Sequence, residues 1–289
     1  MQGTVDGFSY GLVTPLVAYL MASLGGALGL RCTTRALLVA HSWRPGWLAL
    51  GAAAIGSGIW TMHFIAMMGF TVKEAPIHYD KPTTYASLAV AIVMVGIGIF
   101  IVGYKGATGS ALFTGGTIIG LGVASMHYLG MAGMRLNGRL EYNTLTVGAS
   151  VVIAVVAATA ALWAAGQVRG FPWSVGASLV MGLAVSGMHY TGMAALSVHV
   201  HGTGVTTTAG ESPAALLAPM LVGPLAFLLL AGVVVMFDPM MVMGRPDWTP
   251  VEQEPGIPAR ELVPYAARRP VVRARRNLGH RPSRTPQNR

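Results

Sequence analysis

Charge is what this sequence is short of. Only 10% of its 289 residues are Asp, Glu, Lys or Arg, against roughly 25% in soluble domains. That deficit, set beside 53% hydrophobic residues, excludes an ordinary water-soluble globule and makes lipid the main solvent. Cysteine is nearly missing. Cys32 stands alone, so neither an intramolecular disulfide nor a Cys-based zinc site can form. Placed at the inner end of the first apolar run, it is expected to be inert. The N-terminus lacks a positive segment and carries Asp6 as its only charge, so the first run is expected to be retained as a span rather than cleaved as a signal peptide. A hydrolase triad, a P-loop and any carboxylate pair at membrane depth are also missing, and no enzyme activity is expected. Glycine, by contrast, is plentiful at 38 residues. Small residues let helices approach closely in a bilayer, as the G-x-x-x-G spacings of Gly25 and Gly29 and of Gly116 and Gly120 suggest.

Seven uncharged apolar runs, near 10–30, 47–70, 84–103, 111–134, 145–166, 174–196 and 214–237, are long enough to cross a bilayer. The expected fold is an all-α membrane protein of about seven transmembrane helices: three internal two-helix repeats plus a seventh helix, over residues 8–238. Charge sets the orientation. Loop 31–46 with Arg31, Arg35 and Arg44, the loops holding Lys105 and Arg169, and the tail carry 15 of the 19 basic residues; the other side holds Lys73, Lys81, Arg135 and Arg139. Basic residues favour the cytoplasm, so the N-terminus is expected outside and the C-terminus cytoplasmic. The short loops alone favour this only slightly, and the two arginines of loop 135–144 oppose it.

Internal repetition is the informative feature. Three runs share one pattern: Met62-His63-Phe64 closing on Met67, Met126-His127-Tyr128 closing on Met131, and Met188-His189-Tyr190 closing on Met193. A glycine stands seven residues before each histidine, at Gly56, Gly120 and Gly182, and a small residue three after it, at Ala66, Gly130 and Gly192. The histidines are 64 and then 62 residues apart, so one repeat is one helix pair. They are the only histidines inside the seven runs. Ionisable groups at membrane depth are costly and face a bundle interior or a cavity. Each lies seven residues before the end of an outward-running span, roughly 10 Å below the surface at 1.5 Å per residue. Three helices running in one direction bring the three motifs to one level.

Residues four apart share a helix face, so His63 pairs with Met67, His127 with Met131 and His189 with Met193. The preceding methionines, Met62, Met126 and Met188, are rotated about 100° away and border the same space or pack between helices; Met134 extends the face of His127. The aromatic residue after each histidine is expected to pack against a neighbouring helix. Imidazole with thioether favours a soft late metal, and copper, Cu(I) in particular, is the natural candidate. Hard cations want oxygen ligands, zinc commonly brings Cys or an acid, and haem needs two axial ligands where the repeat supplies three sets. A metal site is weighed against a layer of histidines that only packs.

These motifs resemble the bacterial MHYT family, over essentially the whole membrane part. The resemblance implies a seven-helix integral membrane sensor domain of the bacterial plasma membrane, with its motifs near the outer face. It also implies copper bound through Met and His, and a response to oxygen, carbon monoxide or nitric oxide. The first copy departs from the pattern with Phe64 in place of Tyr and Ala66 in place of Gly. Family members are often fused to cyclic-di-GMP enzymes or histidine kinases. Only about 50 residues follow the last run here, too few for such a domain, so a separate cytoplasmic signalling protein is the expected partner.

Residues 239–289 are rich in Arg and Pro and read as a disordered cytoplasmic tail that attracts anionic lipid. Nothing interleaves its arginines with aromatics, so no nucleic acid is expected as a partner. His78, and His199 with His201 before a Thr/Gly-rich run, fall in outer loops as accessory ligands that relay metal or as merely exposed groups. Two other functions remain open. A copper transporter or metal-loading factor would need ligands near the inner leaflet, where only Met21, Met94 and Met181 are scattered. A structural or interaction subunit would need none.

Overall fold

The computed structural model describes residues 3–39, 41–167, 171–200 and 212–238, all within the first of the chain's two units, Met1–Gly244. Residues 239–289, and with them the expected basic tail, lie outside the described residues, as do His201 and the Thr/Gly-rich run. Seven helices form: α1 (Val13–Leu38), α2 (Arg44–Met68), α3 (Lys81–Lys105), α4 (Gly109–Ala132), α5 (Thr144–Gln167), α6 (Phe171–Ala194) and α7 (Pro213–Met236). Six are long and apolar enough to cross a membrane, and α6 matches α4, α5 and α7 at 24 residues. Large apolar side chains such as Val152 and Val156 on α5 and Leu229 on α7 stand exposed on the outside of the bundle, where lipid is their only favourable solvent. The chain is a multi-pass, all-α membrane protein.

Helix starts follow capping chemistry. Pro45, Pro82 and Pro213 lie in the first turns of α2, α3 and α7, where a missing N–H costs nothing. Asp80 caps α3: its carboxylate accepts from the Thr83 N–H at 2.9 Å and from the Thr83 hydroxyl at 2.5 Å. These bonds hold that carboxyl below its ordinary range. Ser212 caps α7 by accepting from the Ala215 N–H.

The helices pack as a closed ring. Each of α1 to α6 packs on the next, and α6 returns to α1; α7 stands outside, against α2 and α1. The repeated glycine explains part of this ring. A Cβ on Gly56 would lie 2.9 Å from the backbone of Ile92 on α3. On Gly120 it would overlap the backbone of Val155 on α5, and on Gly182 it would meet Ser23 on α1. The same position in three even-numbered helices is therefore where the following odd-numbered helix crosses at closest approach. Gly25 and Gly58 do the same between α1 and α2.

Two expectations change. Arg31 and Arg35, assigned to loop 31–46 by their charge, belong to α1, which runs on to Leu38. The helix tolerates Arg35 because its guanidinium pairs with the Asp238 carboxylate after α7 and lies over Trp47, and a cation complements the C-terminal end of a helix. The expected outer loops, meanwhile, contain strands. β1 (Val5–Asp6) pairs antiparallel with β2 (Thr71–Val72), β3 (His78–Tyr79) with β4 (Met134–Arg135), and β5 (Gly138–Tyr142) with β6 (Leu196–Val200). The Gly3 N–H donates to the Val198 carbonyl at 2.8 Å, which joins the N-terminal segment to β6 and closes the circuit. All these strands lie at one end of the bundle, before α1 and after α2, α4 and α6. The strand side chains Val72, Met134 and Val198, with Ile77 just before β3, are buried in the same apolar cluster as the helix core. Together they make a lid.

Candidate metal centre

Each motif histidine stands five residues before the last residue of its helix, Met68, Ala132 or Ala194. The spans had been expected to run two residues further; the chain turns into a strand instead. Equal offsets on three parallel helices of one ring bring His63, His127 and His189 to a common level beneath the lid. All three are at most 2% exposed.

The rings converge through one atom type. Nδ1 of His63 lies 3.0 Å from Nδ1 of His189 and 3.1 Å from Nδ1 of His127, and the third side of the triangle is 3.3 Å. The rings stand nearly perpendicular to one another, at 80° to 88°. No protonation state of three neutral imidazoles satisfies this triangle. A ring nitrogen is either a donor or an acceptor, so a proton on one Nδ1 serves one contact and leaves lone pairs facing each other elsewhere. A cation among the three accepts every lone pair at once. A point equidistant from the corners lies about 1.8 Å from each, close to the roughly 2.0 Å of a metal–imidazole bond. These side chains form the one cluster of His, Cys, Asp or Glu with metal-holding spacing among the described residues.

With Nδ1 facing the metal position, the ring protons belong on Nε2. Nε2 of His63 and of His127 is buried without a hydrogen-bond partner. The small residue three after each histidine shows why nothing else fits there. A Cβ on Gly130 would lie 2.8 Å from Nε2 of His63, and one on Gly192 would lie 2.5 Å from Nε2 of His127. The glycine of one motif thus makes room for the histidine of the preceding one. Ala66 stands at the equivalent place in the first copy.

The motif methionines lie in the apolar core. Met62, Met67, Met126, Met131, Met134 and Met188 are buried in the core cluster, and Met193 is partly buried against it. The aromatic residues divide. The Tyr128 hydroxyl hydrogen-bonds the Ser150 hydroxyl on α5 at 2.7 Å, as expected of a helix-packing group. Tyr190 stacks on Phe8 of the N-terminal segment, and Phe64 packs on Trp60 of its own helix and near Tyr79 of the lid. No hydroxyl is needed at that buried position. The proposed accessory histidines are elsewhere: His78 is exposed on β3, and His199 on β6 faces Glu141 at 3.4 Å. Cys32 is free and fully buried in α1.

Sequence reasoning missed one feature of the site. Ile59, Val123 and Val185 stand four residues before the three histidines, and all are buried. They were invisible because an aliphatic residue in an apolar helix carries no pattern of its own.

Comparison with known proteins agrees with the repeat. The MHYT repeat, described as a bacterial signalling protein N-terminal repeat, matches residues 56–115 and 120–178. Those residues include the first two motifs; His189 lies beyond them yet completes the triangle. The chain is 37% identical over 192 residues to the bifunctional diguanylate cyclase/cyclic di-GMP phosphodiesterase MucR of Pseudomonas aeruginosa, covering 65% of this chain and 28% of the relative. It is 34% identical over 212 residues to the cyclic di-GMP phosphodiesterase NbdA of the same organism, covering 69% and 27%. Over 160 residues it is 31% identical to the signaling protein YkoW of Bacillus subtilis, covering 53% and 20%. The chain therefore spans less than a third of the length of these curated relatives. No solved structure matches it. The three His motifs, the two matched repeats and the relatives agree that this chain belongs to the bacterial MHYT family of membrane signalling proteins.

Proposed function

We propose that this protein is a membrane sensor that holds one copper ion in the triangle of His63, His127 and His189 and responds to a diatomic gas or to the redox state of the metal. The observation that carries this is the approach of three buried Nδ1 atoms within 3.0 to 3.3 Å. The donor set favours Cu(I). All three ligands are neutral and no carboxylate or thiolate joins them, and the cost of burying an ion grows with the square of its charge, so a monovalent ion fits better than a divalent one. Bound copper would supply a soft Lewis-acidic centre able to take a small diatomic ligand. The methionines around the layer are proposed as auxiliary soft donors: Met67, Met131 and Met193 first, then Met62, Met126, Met188 and Met134.

The protein's own part is to orient the rings, exclude water and transmit the change. The lid and the apolar core keep solvent from the triangle. The three histidines come from three different helices, so any shift in their spacing shifts the ring. A ligand drives such a shift only as far as it binds one arrangement better than the other. The lid end is proposed to face outward and the tail inward, on the distribution of basic residues, with a cytoplasmic signalling partner reading the change.

Metal analysis of purified protein tests this. The expected result is about one copper per chain in the wild type, with loss of copper in the triple variant His63→Ala, His127→Ala, His189→Ala beyond the roughly 10- to 100-fold that removal of an outer partner costs. Wild-type protein without copper, or a triple variant that keeps it, overturns the proposal. Transport is disfavoured because the space below the triangle offers no imidazole, only the thioethers of Met181 and Met188, to receive an ion. Copper uptake into vesicles by the wild type would restore it. A purely structural role predicts full stability and normal signalling in the triple variant.

A further inference from the structure

Below the triangle, on the side away from the lid, the six-helix ring encloses a cavity of about 280 Å³. Residues from all six ring helices line it. Its upper wall includes Ile59, Val123 and Val185, each one helical turn before a motif histidine, and Met188, the residue before His189. Its far end is bounded by Leu37, Gly106, Ala107 and Gly166, all exposed at the opposite end of the bundle. Among its lining residues only Thr33 has a hydroxyl, and that group donates to the Gly29 carbonyl of its own helix at 2.9 Å. The space therefore offers water few partners. Apolar cavities of even half this size stay dry and accept small apolar guests.

The other face of the triangle is closed. The strands of the lid pair at one end of the bundle, and Asp80 N–H to Gly133 carbonyl and Asn143 N–H to Ala195 carbonyl tie the start of α3 to the end of α4 and the start of α5 to the end of α6 at 2.8 and 2.9 Å. Val72, Ile77 and Val198 fill the space beneath these strands.

We infer that this cavity is the route by which a small neutral apolar molecule of diatomic size reaches the Nδ1 triangle, from the membrane end opposite the lid. The inference rests on the sensor proposal above for what waits at the end of the route. Three features select the occupant. The lining is almost wholly apolar, which disfavours water and hard ions. Small side chains, Ala157, Ala158, Ala161, Ala165 and Gly103, form much of the wall, which keeps the passage open. The passage ends against residues one turn from each histidine rather than against a polar group that would orient a larger ligand.

The test uses the full chain in lipid nanodiscs, with xenon as an apolar probe and carbon monoxide as the diatomic ligand. Xenon exchange by 129Xe NMR should be saturable in metal-free wild type and lost in Ala161→Phe. In copper-loaded protein, carbon monoxide association should be about tenfold slower in Ala161→Phe and faster in Ile59→Ala than in wild type. Two variants acting in opposite directions guard against a mere folding defect, which would not speed binding. Equal association rates in all three proteins overturn the route. So does an acyl chain held in the cavity, seen by native mass spectrometry, because the space would then be a lipid site. Xenon uptake without any carbon monoxide binding overturns the sensor proposal, and the destination of the route with it, while the apolar cavity stands. Carbon monoxide binding at undiminished rate without xenon uptake overturns the route alone.

Discussion

The two ends of the six-helix ring solve opposite problems. At the lid end the histidine layer is tightly set: three imidazoles meet in the buried core, side chains of the short strands are buried there too, and glycines are placed where one more methyl would collide with a ring nitrogen. At the other end the same helices diverge around an empty apolar space walled by alanine and glycine. Both ends use small residues, and the difference shows that smallness has two uses. At Gly130 and Gly192 it brings a backbone against a ring. At Ala157, Ala158 and Ala161 it leaves room. Composition alone treats these residues alike.

Adding methyl groups at each end separates the two uses. The largest effect is expected at Gly192→Ala, where the new Cβ would sit 2.5 Å from Nε2 of His127 and push Nδ1 out of the triangle. Copper affinity should fall about 10- to 100-fold, as for lost support of a metal ligand. Ala66→Gly, which adds nothing, should bind copper as the wild type does. Equal affinity in Gly192→Ala, measured by competition with a Cu(I) chelator, would show that the lid end is looser than its geometry. Next comes Gly120→Ala, at the crossing of α4 and α5. Overpacking there should cost about 1–3 kcal/mol, read as a lowered thermal midpoint in detergent. Gly148→Ala, whose new methyl meets nothing within 4 Å, should leave the midpoint within about 0.5 kcal/mol of wild type. The smallest effect belongs to the lid's margin. Asp80 has a carboxyl held below its ordinary range by the Thr83 hydroxyl and N–H, so its stabilising contribution is complete above the carboxylate's unfolded value. That contribution is lost as pH falls through the lower, folded one. Asp80→Asn keeps a capping side chain but not the titration. Its deficit relative to wild type should be present at neutral pH and vanish in acid. A deficit independent of pH would mean that the cap acts without its charge.

Much of the architecture was legible beforehand. Seven apolar runs without internal charge have to become helices, because lipid leaves no other partner for the backbone. The near-equal spacing of three histidines implied three equivalent helices with the histidines at one level, and the Nδ1 triangle bears this out. The lid was not legible. Segments such as Thr71–Val72 are too short to show an alternating pattern, and they become strands only because the helix ends bring them side by side. Arg35 was misassigned for a similar reason: its partner Asp238 is distant in sequence.

Local chemistry, then, decided which residues would be costly in lipid and therefore which would turn inward: His63, His127 and His189, with their methionines, were identifiable from composition and period alone. Which nitrogen of each ring faces the others, that Gly130 and Gly192 serve the neighbouring motif rather than their own, and that an apolar cavity begins one turn below, were settled only by the closure of the ring. The physical reason is that helical period fixes direction about one axis. Distance between axes is set by how six helices pack at once, and no single helix contains that information.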